Sequence, residues 1–197
     1  MAAQGYRAVA GVDEVGRGCL AGPVVAAAVV MPDAPAVPHV TDSKQLTPAQ
    51  REEIAAQIRE VALGIGLGIV AASAIDATNI LRATHAAMRT ALQDLGSGVD
   101  YALVDGRPVP NLPVESQAVV GGDRRCYCIA AASIIAKVYR DTIMECLECY
   151  YPGYGFAEHK GYVTAQHCEA LERLGPCPAH RLSFEPLRSR SQGRLDL

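Results

Sequence analysis

Four acidic residues in this 197-residue chain stand at or near the ends of short apolar runs: Asp13 and Glu14, Asp105 in Leu103-Val104-Asp105-Gly106, and Asp123 in Val120-Gly121-Gly122-Asp123. Carboxylates at the edge of a sheet suit Mg²⁺ or Mn²⁺, hard ions that take a few oxygen ligands and keep positions for water and phosphate oxygens. Gathered together they make a two-metal site, which activates a water on one side of a phosphodiester and stabilises the leaving oxygen on the other. Neither task requires His or Cys. A strand-terminal Asp followed by Gly is, taken alone, as readily a turn former, so only the set is informative. Neighbours on a regular strand face opposite sides. For Asp13 and Glu14 to serve one metal pair, the strand is therefore expected to end or twist between them, with Gly11 and Gly16 as permissive positions.

Directly after the first pair comes Gly16-Arg17-Gly18. Its glycines allow close backbone approach to a ligand, with exposed amides and one guanidinium suited to phosphate. By itself such a tripeptide is also a plain turn.

These residues need elements to position them. Two apolar runs, Arg7 to Val12 and Val24 to Met31, flank the Gly-rich stretch 16–23 and read as adjacent strands. Pro32, Asp33, Pro35 and Pro38 mark a loop that leads to Thr41-Asp42-Ser43-Lys44. Thr47-Pro48-Ala49-Gln50 has the pattern of a capping box with Pro at the first helical position, which predicts a helix from about 48 to 62. Gly64, Gly66 and Gly68 alternate with Ile65, Leu67 and Ile69, a period of two that suits a third strand. Apolar residues at helical spacing predict a helix over Asn79 to Leu95, stopped by Gly96. Tyr101 to Val104 and Ser116 to Val120 are short strands, and Ile129 to Tyr150 is a long helix ended by Pro152-Gly153. The remainder is turn-rich, with a short helix near Thr164 to Leu174 and a polar tail. Antiparallel pairing of the first strands and parallel additions after helical crossovers imply an α/β fold, a mixed sheet covered by helices. One catalytic domain over 1–197 is expected, with a C-terminal helical extension from about 151 and a flexible tail at 189–197.

The formal net charge of −3 gives no global attraction for phosphates, so a nucleic-acid site must be a local cluster of Lys and Arg. Seven cysteines, an odd number in a chain without a signal peptide, point to reduced thiols in a cytoplasmic protein. Cys126-Tyr127-Cys128 and Cys146-Leu147-Glu148-Cys149 lack a convincing partner pair for structural zinc. The longest uncharged runs, Cys19 to Pro32 and Val61 to Ile75, fall short of a bilayer span.

Asp-Glu-Val-Gly-Arg-Gly at 13–18, followed by Leu20-Ala21-Gly22-Pro23-Val24-Val25, resembles the opening signature of ribonuclease HII, the type 2 ribonuclease H family. The resemblance continues through Asp42-Ser43-Lys44-Gln45-Leu46, Leu103 to Gly106, Gly122-Asp123, Ile129 to Val138, Tyr151 to Phe156 and His159-Lys160-Gly161-Tyr162, and extends to His180-Arg181 with Ser183-Phe184. It implies a ribonuclease H-like fold. It also implies hydrolysis of the phosphodiester 5′ to a ribonucleotide, in RNA·DNA hybrids or at single ribonucleotides embedded in duplex DNA, leaving 3′-hydroxyl and 5′-phosphate. The ligands of Mg²⁺ or Mn²⁺ would fall on Asp13, Glu14, Asp105 and Asp123. Gly16, Arg17, Gly18 and Tyr162 would sense the ribose 2′-hydroxyl, the group that distinguishes RNA from DNA.

Lys44 is expected to hold a phosphate near the metals. Ser133, Lys137 and Arg140 share a helix face, either as a phosphate-binding ridge or with Lys137 or Arg140 paired to an acid such as Asp141 or Glu145. His159 and Lys160 are expected to orient the turn or touch backbone phosphate, and the tyrosines at 150, 151, 154 and 162 to supply packing plus one functional hydroxyl. Departures from the family pattern are Cys19 where Pro is frequent, and Gly121 where Lys is common, with Arg124 and Arg125 close enough to compensate. Three rival readings are a catalytically silent binding protein, a thiol or zinc protein, and a sibling enzyme restricted to long RNA tracts. The first needs a missing carboxylate and the last an N-terminal substrate-binding domain, which six residues before the first strand would not hold. A replication clamp docking on the polar tail is the partner expected besides nucleic acid.

Overall fold

Residues 5–33, 37–41 and 43–192 are described by the computed structural model. Pro35, Asp42 and the last five residues of the expected tail, 193–197, lie outside the described residues. Five strands, β1 (Val9–Val15), β2 (Val24–Val30), β3 (Gly64–Val70), β4 (Tyr101–Asp105) and β5 (Glu115–Val119), form one sheet in the order β3-β2-β1-β4-β5. The helices among the described residues are α1 (Pro48–Val61), α2 (Ala72–Ala77), α3 (Ile80–Asp94), α4 (Tyr127–Tyr150), α5 (Phe156–His159), α6 (Ala165–Leu174) and α7 (Leu187–Gln192). Of these, α2, α5 and α7 were not anticipated. α7 begins before Ser189, where a tail was expected.

The mixed α/β sheet flanked by helices is as the sequence implied, but its directions differ in two places. β2 pairs antiparallel with both β1 and β3, and β4 runs parallel to β1. The helix between β2 and β3 therefore makes no parallel crossover. α1 brings the chain back to the end of β2, so that the Leu63 amide donates to the Val30 carbonyl at 2.8 Å and β3 starts where β2 stopped. Conversely β5 pairs parallel with β4 through residues 106–114, with no helix between them.

All seven residues of β2 are buried, as a strand covered on both faces requires. On one face Ala10, Val12, Ala26 and Ala28 pack with Ala83, Ala87 and Ala91 of α3. Small residues meet small ones here: a Cβ on Gly68 would lie 1.9 Å from the Ala87 carbonyl oxygen, so β3 and α3 touch backbone to backbone. On the other face Ala27 and Val29 pack with Ile54 and Ile58 of α1 and Ala131, Ile134 and Ile135 of α4. A third cluster joins Leu20 and Ala21 to Met144, Tyr154, Phe156 and Leu171, and so seats the C-terminal region on the loop between β1 and β2. Capping follows the sequence. Thr47 and Gln50 form the reciprocal box of α1, Asn79 caps α3 and Thr164 caps α6.

Candidate active site

The first strand neither ends nor breaks at its acids. β1 stays paired with β2 through Asp13↔Ala27, Glu14↔Ala26 and Val15↔Val25. What ends is its other neighbour: β1 and β4 are in register only to Val12↔Val104, and β4 stops one residue later at Asp105. Of the two expected alternatives, an end or a twist, an end of β1 between its acids is overturned, because the strand stays paired with β2 through both. Beyond Val12 one edge of β1 is unpaired, and Asp105 sits at that opening, where a carboxylate on either face of β1 feels it. Asp13 hydrogen-bonds Ser133 on the α4 face, while Glu14 takes Arg17 at 3.0 Å.

Burial pushes Asp13 well above the usual carboxylate range, and the charges of Glu14 and Asp105 push it further, against hydrogen bonds from Ser133 and the Glu14 amide. Burial raises Glu14 as well, with Asp105 adding and Arg17 opposing. Asp123 follows β5 in a single 3₁₀ turn, Gly122–Arg124, entered through Gly121 with φ +64°. The same turn ties Asp105 in place, because the Gly122 amide donates to Asp105 Oδ1 at 2.6 Å. Asp123 is buried and lies 3.6 Å from Lys44 and 3.9 Å from Arg124. A shallow concavity of about 190 Å³ beside it is lined by Thr41, Arg124 and Arg125 among others.

Among the described residues no three His, Cys, Asp or Glu side chains form a ready-made cage for an ion. Each carboxylate instead holds a local partner: Ser133, Arg17, the Gly122 amide, or Lys44 with Arg124. The chemistry nevertheless fits a divalent cation, since Asp13 and Glu14, made costlier to ionise by burial and by the charge of Asp105, are relieved by a positive charge beside them. An all-oxygen donor set suits Mg²⁺ or Mn²⁺.

The turn from Gly16 to Gly18 is exposed at Arg17 and Gly18 and buried at Gly16, whose φ is +92°. Tyr162 is 43% exposed, and its hydroxyl reaches the Cys19 thiol at the end of that turn. The predicted turn and tyrosine are therefore neighbours, 144 residues apart in sequence. Ser133 also contacts Ser43 at 3.0 Å, next to Lys44.

Two expectations for α4 resolve differently. Lys137 pairs with Asp141 at 2.6 Å, and Arg140 is fully buried, so no phosphate ridge of Ser133, Lys137 and Arg140 faces solvent. His159 orients its own turn, accepting from the Gly161 amide at 3.1 Å, and Lys160 pairs with Glu145 at 2.6 Å. Tyr154 packs on Phe156 with ring centroids 5.2 Å apart, while Tyr150 is 79% exposed. The seven cysteines are free thiols.

Sequence reasoning missed how two groups are arranged. Arg140 and Arg181 are buried behind the turn, on backbone carbonyls. His167 and His180 meet through their Nε2 atoms at 3.0 Å. His167 Nδ1 lies 2.9 Å from the Tyr162 carbonyl, which can only accept, and His180 Nδ1 accepts from the Cys177 amide at 3.0 Å. Both rings are then neutral, with His180 donating to His167. Nothing in the sequence signals either arrangement beyond the His180-Arg181 pair itself.

A family model described as Ribonuclease HII matches residues 10–186. Ribonuclease HII of Geobacter sulfurreducens is 54% identical over 188 residues, covering 95% of this chain and 86% of that protein. Among solved structures, ribonuclease H2 from Pyrococcus horikoshii OT3 superposes with a TM-score of 0.78 at 28% identity, covering 97% of this chain and 100% of that one. RNase HII of Archaeoglobus fulgidus, solved as a complex with PCNA, gives 0.78 at 26% identity, covering 91% and 96%.

Proposed function

Since the chain belongs to the ribonuclease HII family of metal-dependent nucleases acting on RNA·DNA hybrids, we propose that it cuts the phosphodiester 5′ to a ribonucleotide, in hybrids and at single ribonucleotides embedded in duplex DNA, leaving 3′-hydroxyl and 5′-phosphate ends. Asp13, Glu14, Asp105 and Asp123 would hold two Mg²⁺ or Mn²⁺ ions. When bound, such ions lower the pKa of the attacking water and stabilise charge on the phosphate and leaving oxygen.

The protein's own residues do the rest. Ser133 and the Glu14 amide orient Asp13, and the Gly122 amide orients Asp105. Lys44, with Arg124 beside it, draws a phosphate towards Asp123. Gly16, Arg17, Gly18 and Tyr162 select the ribose. The observation that carries this reading is the early stop of β4, which lets Asp105 approach two acids on opposite faces of β1 next to the turn and tyrosine.

The same proposal includes removal of ribonucleotides from DNA, work in the cytoplasm, and a replication clamp docking on the C-terminal tail. The Archaeoglobus fulgidus relative was solved with PCNA, and no described helix is long and apolar enough to cross a membrane.

The test is cleavage of duplex DNA containing one ribonucleotide, with Mg²⁺ or Mn²⁺. Asp13→Asn is expected to abolish cutting, and Tyr162→Phe to impair chiefly the single-ribonucleotide substrate relative to a long hybrid. Wild-type activity in Asp13→Asn would sink the metal assignment.

A further inference from the structure

Arg140 and Arg181 are both fully buried, and among the described residues neither is ion-paired to a carboxylate. Their donors go to carbonyls around the Gly-Arg-Gly turn. Arg181 donates from Nη2 to Gly16 O (2.7 Å) and Gly22 O (2.9 Å), from Nη1 to Arg17 O (2.9 Å) and from Nε to Gly22 O (3.1 Å). Arg140 donates from Nε to Pro23 O (2.9 Å), from Nη2 to Ala21 O (3.0 Å) and from Nη1 to Lys160 O (2.9 Å). Burying a guanidinium is costly even when its hydrogen bonds are made. Burial and the neighbouring Arg140 hold Arg181 down to about 10, which still leaves it charged at neutral pH.

The two C=O groups that Arg181 holds at Gly16 and Arg17 have a directional effect. In a trans peptide the N–H points opposite to the C=O. Drawing those carbonyls inward turns the Arg17 and Gly18 amides outward, at the two exposed residues of the turn. Arg140 ties the chain just after this turn, at Ala21 and Pro23, to Lys160, two residues before Tyr162, and the Leu20 amide donates to Gly161 O at 2.8 Å. Turn and tyrosine are held as one surface.

We propose that Arg181 is a positioning residue for substrate selection: by fixing the carbonyls of Gly16, Arg17 and Gly22 it aims the Arg17 and Gly18 amides at the oxygen on the ribose 2′ carbon, with Arg140 holding Tyr162 in step. The proposal rests on reading the turn as the ribose sensor. Lysine keeps the charge but not the planar fork that spans three carbonyls, so Arg181→Lys separates geometry from charge.

The experiment measures binding, in Ca²⁺, of a duplex with one ribonucleotide and of the same duplex all-deoxy, for wild type, Arg181→Lys and Ile58→Ala. The last lies in the core on the α1 side and lowers stability without touching the turn. Arg181→Lys is expected to lose about tenfold of the preference for the ribonucleotide, the equivalent of roughly one hydrogen bond, with all-deoxy affinity unchanged and Ile58→Ala keeping the full preference. A lysine variant with undiminished preference, or a control that loses as much, overturns the proposal alone. A wild type without preference removes the reading of the turn and the proposal with it. Should Arg181→Lys not fold, the wild type carries the test by NMR. Its Arg17 and Gly18 amide resonances are expected to shift with the ribonucleotide duplex only, and the Arg181 Nε–H to be protected from exchange. Equal shifts with both duplexes, or an unprotected Nε–H, overturn it.

Discussion

Asp13 is buried beside Glu14 and Asp105, and its ionised form is therefore a burden on the protein when no cation is bound. A carboxyl group whose pKa is raised in the folded state contributes stability below its ordinary range and loses it as pH rises through the raised value. The metal-free protein is thus expected to lose stability above the usual carboxylate range, and Asp13→Asn to melt at a higher temperature than wild type at neutral pH while losing cleavage. Mn²⁺ should raise the melting temperature of wild type and not of Asp13→Asn, which calorimetry checks; equal metal-induced shifts would remove Asp13 from the ligand set. The acids and the Gly-Arg-Gly turn were legible in the sequence because their types and spacing are unusual together. Arg140 and Arg181 were not, because their partners are backbone carbonyls, which every residue carries and no sequence pattern advertises. Lys137 shows the converse, since its acid four residues on is visible in the sequence and the pair forms as helical spacing allows.

The elements carry two further expectations. His167 and His180 face each other with one proton between them, so charging His167 would set two ring N–H groups against each other, and charging His180 would set its Nδ1–H against the Cys177 amide. Burial and His167 hold His180 down to about 4 from 6.5, so the folded state favours its neutral form. That contribution is complete above about pH 6.5 and is lost as pH falls towards about 4, amounting to up to about 3 kcal/mol. His180→Gln should flatten the fall in melting temperature across that window, measured as the difference from wild type so that ordinary carboxylates cancel. The second expectation concerns β3. Gly68→Ala would push β3 off α3 and cost about 2 kcal/mol or more in chemical denaturation; a neutral result would mean that the two elements do not meet backbone to backbone. The glycine alternation at 64–68 gave the strand from its period, but only the packing explains why the residues are glycines. The stop of β4 was invisible because a strand's end is set by its neighbours in the sheet, and β4 meets β1 across about 90 residues.

At the scale of the molecule, a net charge of −3 has to coexist with a polyanionic substrate. Lys44, Arg124, Arg125 and Arg17 concentrate positive charge at the one edge that also carries the acids. Duplex binding should therefore weaken with salt through these few contacts, and Arg124→Ala and Arg125→Ala should each lower the slope of log affinity against log salt by about one. An unchanged slope in both would place the nucleic acid elsewhere. The mixed sheet and its helices could be read from periodicity and caps, whereas strand direction could not, because the return of α1 to the end of β2 and the parallel β4 to β5 connection depend on the path of the chain through space. Arg181 reaches back 165 residues to Gly16, and the amides of Leu182 and Ser183 are capped by Asp76. A ribosome making this protein from its N-terminus emits the sheet, with its acids, long before the latch that shapes the turn. A polypeptide released short of residue 181 would carry those acids without the contacts that hold the Gly16 and Arg17 carbonyls, so the turn is among the last features of the nascent protein to take its final shape.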